Sequence, residues 1–195
     1  MSKKRRFAIV LGAIAFVIAG GLTAIGFFYY AVSPIVVEGP SMEPGWVDGD
    51  RVIVSRPVAD LRPGDVVIFE SPDTDELLVM KRVIGVAGDE IDLDGFFVMR
   101  NGEPIVADRV DSADGFICFE EVIDGRVFRT KRDPLTPTSD LPPITVPAGH
   151  VYLLGDHRGR SNDSRSFGTV PVERIVGIVG EHDLRVEPRD PCEGP

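Results

Sequence analysis

The stretch "ELLVMKRVIGVAGDEIDL", Glu76–Leu93, decides the fold. It is a long apolar run, then a Gly-rich turn, then a second apolar alternation. Runs of this length bounded by Gly and Asp read as two strands joined by a turn. Side chains alternate faces along a strand, so Lys81 shares a face with Val79 and Val83. Two readings fit a lysine on an apolar face. It extends its ammonium to water, or its amine is desolvated and becomes a usable base.

The same pattern continues on both sides. "PIVVEG" (34–39), "DRVIVSR" (50–56) and "GDVVIFE" (64–70) precede it. "FFVMRNGEPIV" (96–106) and "FICFEEVIDGRVFRTK" (116–131) come after it, with Asn101-Gly102 and Asp124-Gly125 as hairpin turns. "HVYLLGD" (150–156) and "ERIVGIVG" (173–180) complete the set. Pro134, Pro137, Pro142, Pro143 and Pro147 mark an irregular loop. No helical period of useful length occurs after residue 30. The expected class is all-β with one N-terminal helix.

That helix is "FAIVLGAIAFVIAGGLTAIGFFYY", Phe7–Tyr30, with no charged residue. At about 1.5 Å per residue it reaches about 36 Å, enough to cross a bilayer core of roughly 30 Å. It exceeds the apolar core of a cleaved signal, and "YYAVSP" offers no small-residue cleavage site. Lys3, Lys4, Arg5 and Arg6 precede it and acidic sequence succeeds it, which places the N-terminus in the cytoplasm and the rest outside. These four are among only 21 basic residues, against 31 acidic ones. The remainder lacks the basic footprint of a nucleic-acid binder. Cys118 and Cys192 would face an oxidising compartment, where a bridge and a buried thiol with a separate tail cysteine both fit. Two cysteines and scattered His150, His157 and His182 give no metal-ligand spacing, and no cofactor is expected.

Eleven residues after the span stands Ser41, in "VVEGPSMEPGW" (36–46). Eleven extended residues cover at most about 36–40 Å, so Ser41 stays near the membrane surface. It lacks the second glycine of a nucleophile elbow. As a nucleophile it needs a base, and a desolvated Lys81 amine would serve. Met42 and Trp46 beside it fit either an apolar lip facing lipid or the β-core. The polar run "GDHRGRSNDSRSFG" (155–168) reads as a solvated loop or as a support in which Asp163 pairs with Arg165 and a serine hydroxyl orients the lysine amine.

Together, "SMEP", "GDRVIVSR", "KRVIGVAGD" and "GDHRGRSNDSRSFG", in this order after a span, resemble the boxes of bacterial type I signal peptidases. The resemblance covers Gly39 to Gly168. It implies Ser41 as nucleophile and Lys81 as general base. It implies Ser161 as supporting serine, and Asp163 and Arg165 as structural partners with Ser164 between them. Gly39 falls where some members carry an oxyanion-hole hydroxyl, leaving backbone donors. Ile35, Val36 and Val37 would line an extended substrate. Gly45 stands where threonine is usual, and His157 where asparagine is usual. The histidine variant of the family replaces the lysine, which is present here.

The implied organisation is a basic N-terminus (1–6), a span (7–30), an extracytoplasmic β-domain (31–93 and 148–185), an inserted β-ribbon (94–147) and a tail (186–195). The implied activity is cleavage of signal peptides from preproteins at the outer face of a bacterial membrane by a monomer. A specialised peptidase maturing a pilin or conjugation protein, and an inactive membrane-anchored binding domain, are the other readings. Self-cleaving repressors of the Ser-Lys type would need a DNA-binding segment.

Overall fold

The structure is a computed structural model that describes residues 3–55, 60–74, 77–94, 97–111, 115–135, 141–180 and 192. His182, the loop centre 136–140 and the tail apart from Cys192 lie outside the described residues.

The chain opens with α1 (Lys3–Ala31), a 29-residue helix. Side chains are described only for residues 11–24 and 26 of it, and every one is exposed. No helix among the described residues is long and apolar enough to cross a membrane. α1 passes without a linker into β1 (Val32–Val36).

Beyond α1 the described residues bear out the all-β expectation. A seven-stranded antiparallel sheet contains β1, β2 (Arg51–Ser55), β3 (Val66–Glu70), β4 (Leu78–Val86), β12 (His150–Leu154), β13 (Val170–Pro171) and β14 (Ile175–Val179). Its order is β1-β2-β14-β3-β4-β12-β13, which makes β1 an edge strand. β4 pairs with β3 through Lys81↔Val67 and with β12 only from Arg82 onward. The edge of β4 from Leu78 to Lys81 is therefore open on the β12 side. A bulge faces Tyr152 and Leu153, next to Gly85, a residue type that weakens regular pairing inside strands.

Between β4 and β12 the chain builds two smaller sheets. One has the order β11-β5-β6-β7, from β5 (Glu90–Asp94), β6 (Phe97–Arg100), β7 (Glu103–Pro104) and β11 (Ile144–Thr145). The other is β10-β9-β8, from β8 (Val106–Asp111), β9 (Ile117–Ile123) and β10 (Arg126–Arg132). Both expected hairpin turns form. Asn101 and Gly102 have φ of 56 and 81°, and Asp124 and Gly125 have 49 and 80°. Positive φ at both central residues gives the turn whose twist matches the flanking strands.

Three apolar clusters fill the interior. One contains Met42 and Trp46 with Val52, Val54, Ile68 and Met80. Met42 is 1% and Trp46 7% exposed, so the lip reading is overturned in favour of the core. The indole ring and the thioether both gain more by joining an apolar cluster than by standing at a surface. Among the described residues of the β-region, the only helices are α2 (Ser164–Phe167) and one 3-10 turn at Val172–Arg174, too short to leave a period in the sequence.

Cys118 and Cys192 form a disulfide across 74 residues, which decides between the two readings of these cysteines. Both are fully buried. Closing so long a loop restricts the unfolded chain, an effect of about 2–4 kcal/mol. Replacing both cysteines by serine should lower the denaturant midpoint by a matching amount, and a reductant should shift the parent protein but not the variant.

Candidate active site

The site begins at a turn that only a few sequences would form. Gly39 has φ of +81°, the left-handed region that glycine enters without penalty. Its N–H donates to Asp48 Oδ1 at 2.8 Å. Any L side chain there would be strained in this backbone. The turn delivers Ser41 to the foot of a cleft, and Met42 anchors it in the core. Ser41 N–H meets no hydrogen-bond acceptor among the described residues.

Lys81 Nζ donates to Ser41 Oγ at 2.7 Å and to Met80 O at 2.8 Å. Lys81 is only 1% exposed, so the snorkelling alternative is not what the fold adopts. Burial lowers its pKa to about 8, opposed by the charges of Asp163 and Asp156 and assisted by Arg165. Desolvation penalises the ammonium, and the neutral amine becomes accessible near physiological pH.

The loop 155–168 folds against this pair. Asp163 caps α2 and accepts from Gly155 N–H at 3.0 Å and from Arg165 Nε and Nη2, both at 2.8 Å. Burial alone would raise its pKa, yet Arg165 and the Gly155 N–H outweigh it and hold the carboxyl below its ordinary range. Arg165 Nη1 reaches Arg158 O at 2.7 Å, and Ser164 Oγ accepts from Leu153 N–H at 2.9 Å, tying the loop to β12. The Ser161 hydroxyl is buried beside Gly155 and has no partner at hydrogen-bonding geometry. It is near enough to Asp163 to favour the carboxylate. It makes no hydrogen bond to Lys81 Nζ in this structure.

A cleft of about 400 Å³ opens above Ser41. Ile35, Val36, Val37 and Glu38 form one wall and Leu77–Met80 another, with Val52 and Ile68 at the floor. The walls are the edge strand β1 and the open half of β4.

Several contributors carry no mark in the sequence. Arg82 makes a buried bidentate pair with Asp156, at 2.8 and 2.7 Å, and its guanidinium lies 4.0 Å from the centre of the Phe128 ring on β10. The Arg-Asp spacing of 74 residues hides this pair from any local pattern. Gly45, where threonine is usual, lies against Asp156: an added Cβ would sit 3.4 Å from Oδ2. His157 donates its backbone N–H to Ser41 O at 3.1 Å, while its ring packs edge-on against Phe116 at 5.8 Å. Burial, then the charge of Lys131, lowers its pKa to about 4. No cluster of metal-ligating side chains occurs among the described residues.

A crystal structure of a signal peptidase I from Enterococcus faecalis is 27% identical, with a TM-score of 0.43, covering 64% of this chain and 100% of that one. Signal peptidase IB of Staphylococcus aureus (strain MW2) is 34% identical over 187 residues, covering 92% of this chain and 89% of its own. Signal peptidase I of Bacillus amyloliquefaciens is 30% identical over 166 residues, covering 80% and 79%. A family profile described as signal peptidase, peptidase S26 matches residues 7–182, which takes in the Ser41 turn, β4 and the 155–168 loop alike. With a match of that extent beside relatives aligned over most of their length, this chain belongs to the signal peptidase family, peptidase S26.

Proposed function

We propose that the protein is a membrane-anchored serine endopeptidase that removes N-terminal signal peptides from exported preproteins through a Ser41-Lys81 dyad. Family membership supports signal-peptide cleavage. The observation that carries the dyad is the 2.7 Å contact between Lys81 Nζ and Ser41 Oγ at the foot of a cleft, with the amine desolvated.

The preprotein lies extended between β1 and the open edge of β4, adding a strand to the sheet. Neutral Lys81 takes the hydroxyl proton as Ser41 Oγ attacks the scissile carbonyl. The Ser41 N–H faces the developing oxyanion. The Lys81 ammonium then protonates the leaving amine, and the mature protein departs. A water molecule deprotonated by Lys81 hydrolyses the ester and releases the signal peptide. Asp163, Ser164 and Arg165 hold the loop that supports Lys81, and Ser161 fills the space beside Gly155. α1 is the anchor, with the basic end in the cytoplasm. With α1 as the anchor, the direct passage from α1 into β1 would hold the cleft near the outer membrane surface, where cleavage sites emerge. The buried disulfide agrees with an oxidising compartment.

The test is preprotein cleavage in detergent or liposomes by wild type, Ser41→Ala and Lys81→Arg, over a panel of unrelated preproteins. Loss of cleavage in both variants, with the whole panel cut by wild type, is the expected result. A single accepted substrate would point to a specialised maturation enzyme instead. Because the base must be neutral, kcat/KM should climb as pH passes through about 8, where Lys81 loses its proton. A rate unchanged from mildly acidic to alkaline pH would contradict Lys81 as base.

A further inference from the structure

Strand β10 of the inserted sheet ends inside the loop that supports the nucleophile. Lys131 is 3% exposed. Its N–H donates to Asp156 O at 3.0 Å and its carbonyl accepts from Arg158 N–H at 2.8 Å, a short parallel bridge opposite His157. Its ammonium donates to the Glu43 carboxylate and lies 4.3 Å from the centre of the Phe116 ring. His157 N–H in turn donates to Ser41 O. Two links thus converge on three consecutive residues: a main-chain bond to Ser41 and an ion pair to Glu43. Met42, between them, is buried.

We propose that Lys131, contributed by the inserted sheet, is a positioning residue: through Glu43 it fixes the Ser41 turn so that Oγ stays within reach of Lys81 Nζ. A buried ammonium is a poor source of stability, since desolvation offsets most of the attraction to its partner. What such a pair supplies is one register in place of several, because any other arrangement leaves a charge unpaired out of water. Without it the Glu43 carboxylate turns to solvent and the turn loses its side-chain attachment to the inserted sheet. Displacing a nucleophile by about 1 Å costs about 10²-fold in rate. The proposal rests on Ser41 being the nucleophile.

The test is steady-state cleavage of a preprotein by the full-length, detergent-solubilised enzyme, with thermal unfolding of each variant. Lys131→Met should lower kcat by about 10–100-fold with KM within about twofold, because the cleft walls are untouched. Lys131→Arg, which keeps the charge, should recover most of the loss. Glu43→Gln should reproduce it, and the double variant Lys131→Met/Glu43→Gln should be no worse than either single. Arg160→Met, which breaks an exposed pair with Asp133 close by, should stay within about twofold of wild type. A folded Lys131→Met with wild-type kcat overturns the proposal, as do losses that multiply in the double variant or an equal loss in Arg160→Met. If Lys131→Met does not fold, Glu43→Gln decides alone, since Glu43 is partly exposed. Ser41→Ala separates the two levels. Residual cleavage there removes the nucleophile reading. A dead Ser41→Ala beside a fully active Lys131→Met removes only the positioning role.

Discussion

With Lys81 as the proposed general base, Lys81→Arg should reduce preprotein cleavage by about 10²–10⁴-fold. Arginine retains the positive charge and much of the length, but it stays protonated at every accessible pH and cannot accept the serine proton. Ser41→Ala should be at least as damaging, because no other hydroxyl or thiol side chain lines the cleft among the described residues. Lys81→Met gives the same loss and adds a stability signature. The ordinary lysine pKa of 10.5 falls to about 8 in the fold, so the folded state disfavours the charged form. Between these values the unfolded chain binds more protons, and wild-type stability rises with pH by about 3 kcal/mol in all. Below pH 8 both states are protonated and the buried ammonium weighs on the fold. Lys81→Met lacks this dependence. Its denaturant midpoint relative to wild type should therefore be highest at neutral pH and should fall as pH rises toward about 10. A relative midpoint independent of pH would show that Lys81 is not desolvated.

Gly155→Ala is the second large effect. A Cβ there would stand 2.2 Å from Ser161 Oγ, 2.5 Å from Ser41 O and 2.6 Å from Ser161 Cβ. The Ser161 hydroxyl can turn away, but Ser41 O is main chain and accepts the His157 N–H. Relief requires moving the Ser41 backbone or breaking the Gly155–Asp163 hydrogen bond. Overpacking of this kind costs about 1–3 kcal/mol, and a shift of about 1 Å at Ser41 costs about 10²-fold in kcat. Cleavage kinetics and a melting curve on the purified variant separate the two. A variant cleaving at the wild-type rate would mean that Ser41 tolerates displacement.

The strands were legible because their information is local. "KRVIGV", "DRVIVS" and "HVYLL" carry their apolar character within a few residues, and Asn-Gly and Asp-Gly specify turns by the φ they permit. Ser41 and Lys81 were legible through the motifs around them. α2 was not, because four residues leave no period; its only mark was Asp163, a good N-cap. The burial of Trp46 was undecidable from the sequence, since an aromatic ring serves a core and a membrane interface equally.

The sequence by itself determined the β-class, most of the strand segments, both hairpin turns, an N-terminal helix and the residue types present at the cleft. These result from side-chain alternation, turn stereochemistry and functional-group identity, which act over short distances along the chain. Only the tertiary structure decided that the Lys81 amine is out of water and touching Ser41. It alone joined Arg82 to Asp156, Cys118 to Cys192, and Lys131 to Glu43, across separations of 74, 74 and 88 residues. Proton affinity and nucleophile position depend on solvent exclusion and on contacts between remote segments, and no local pattern encodes either.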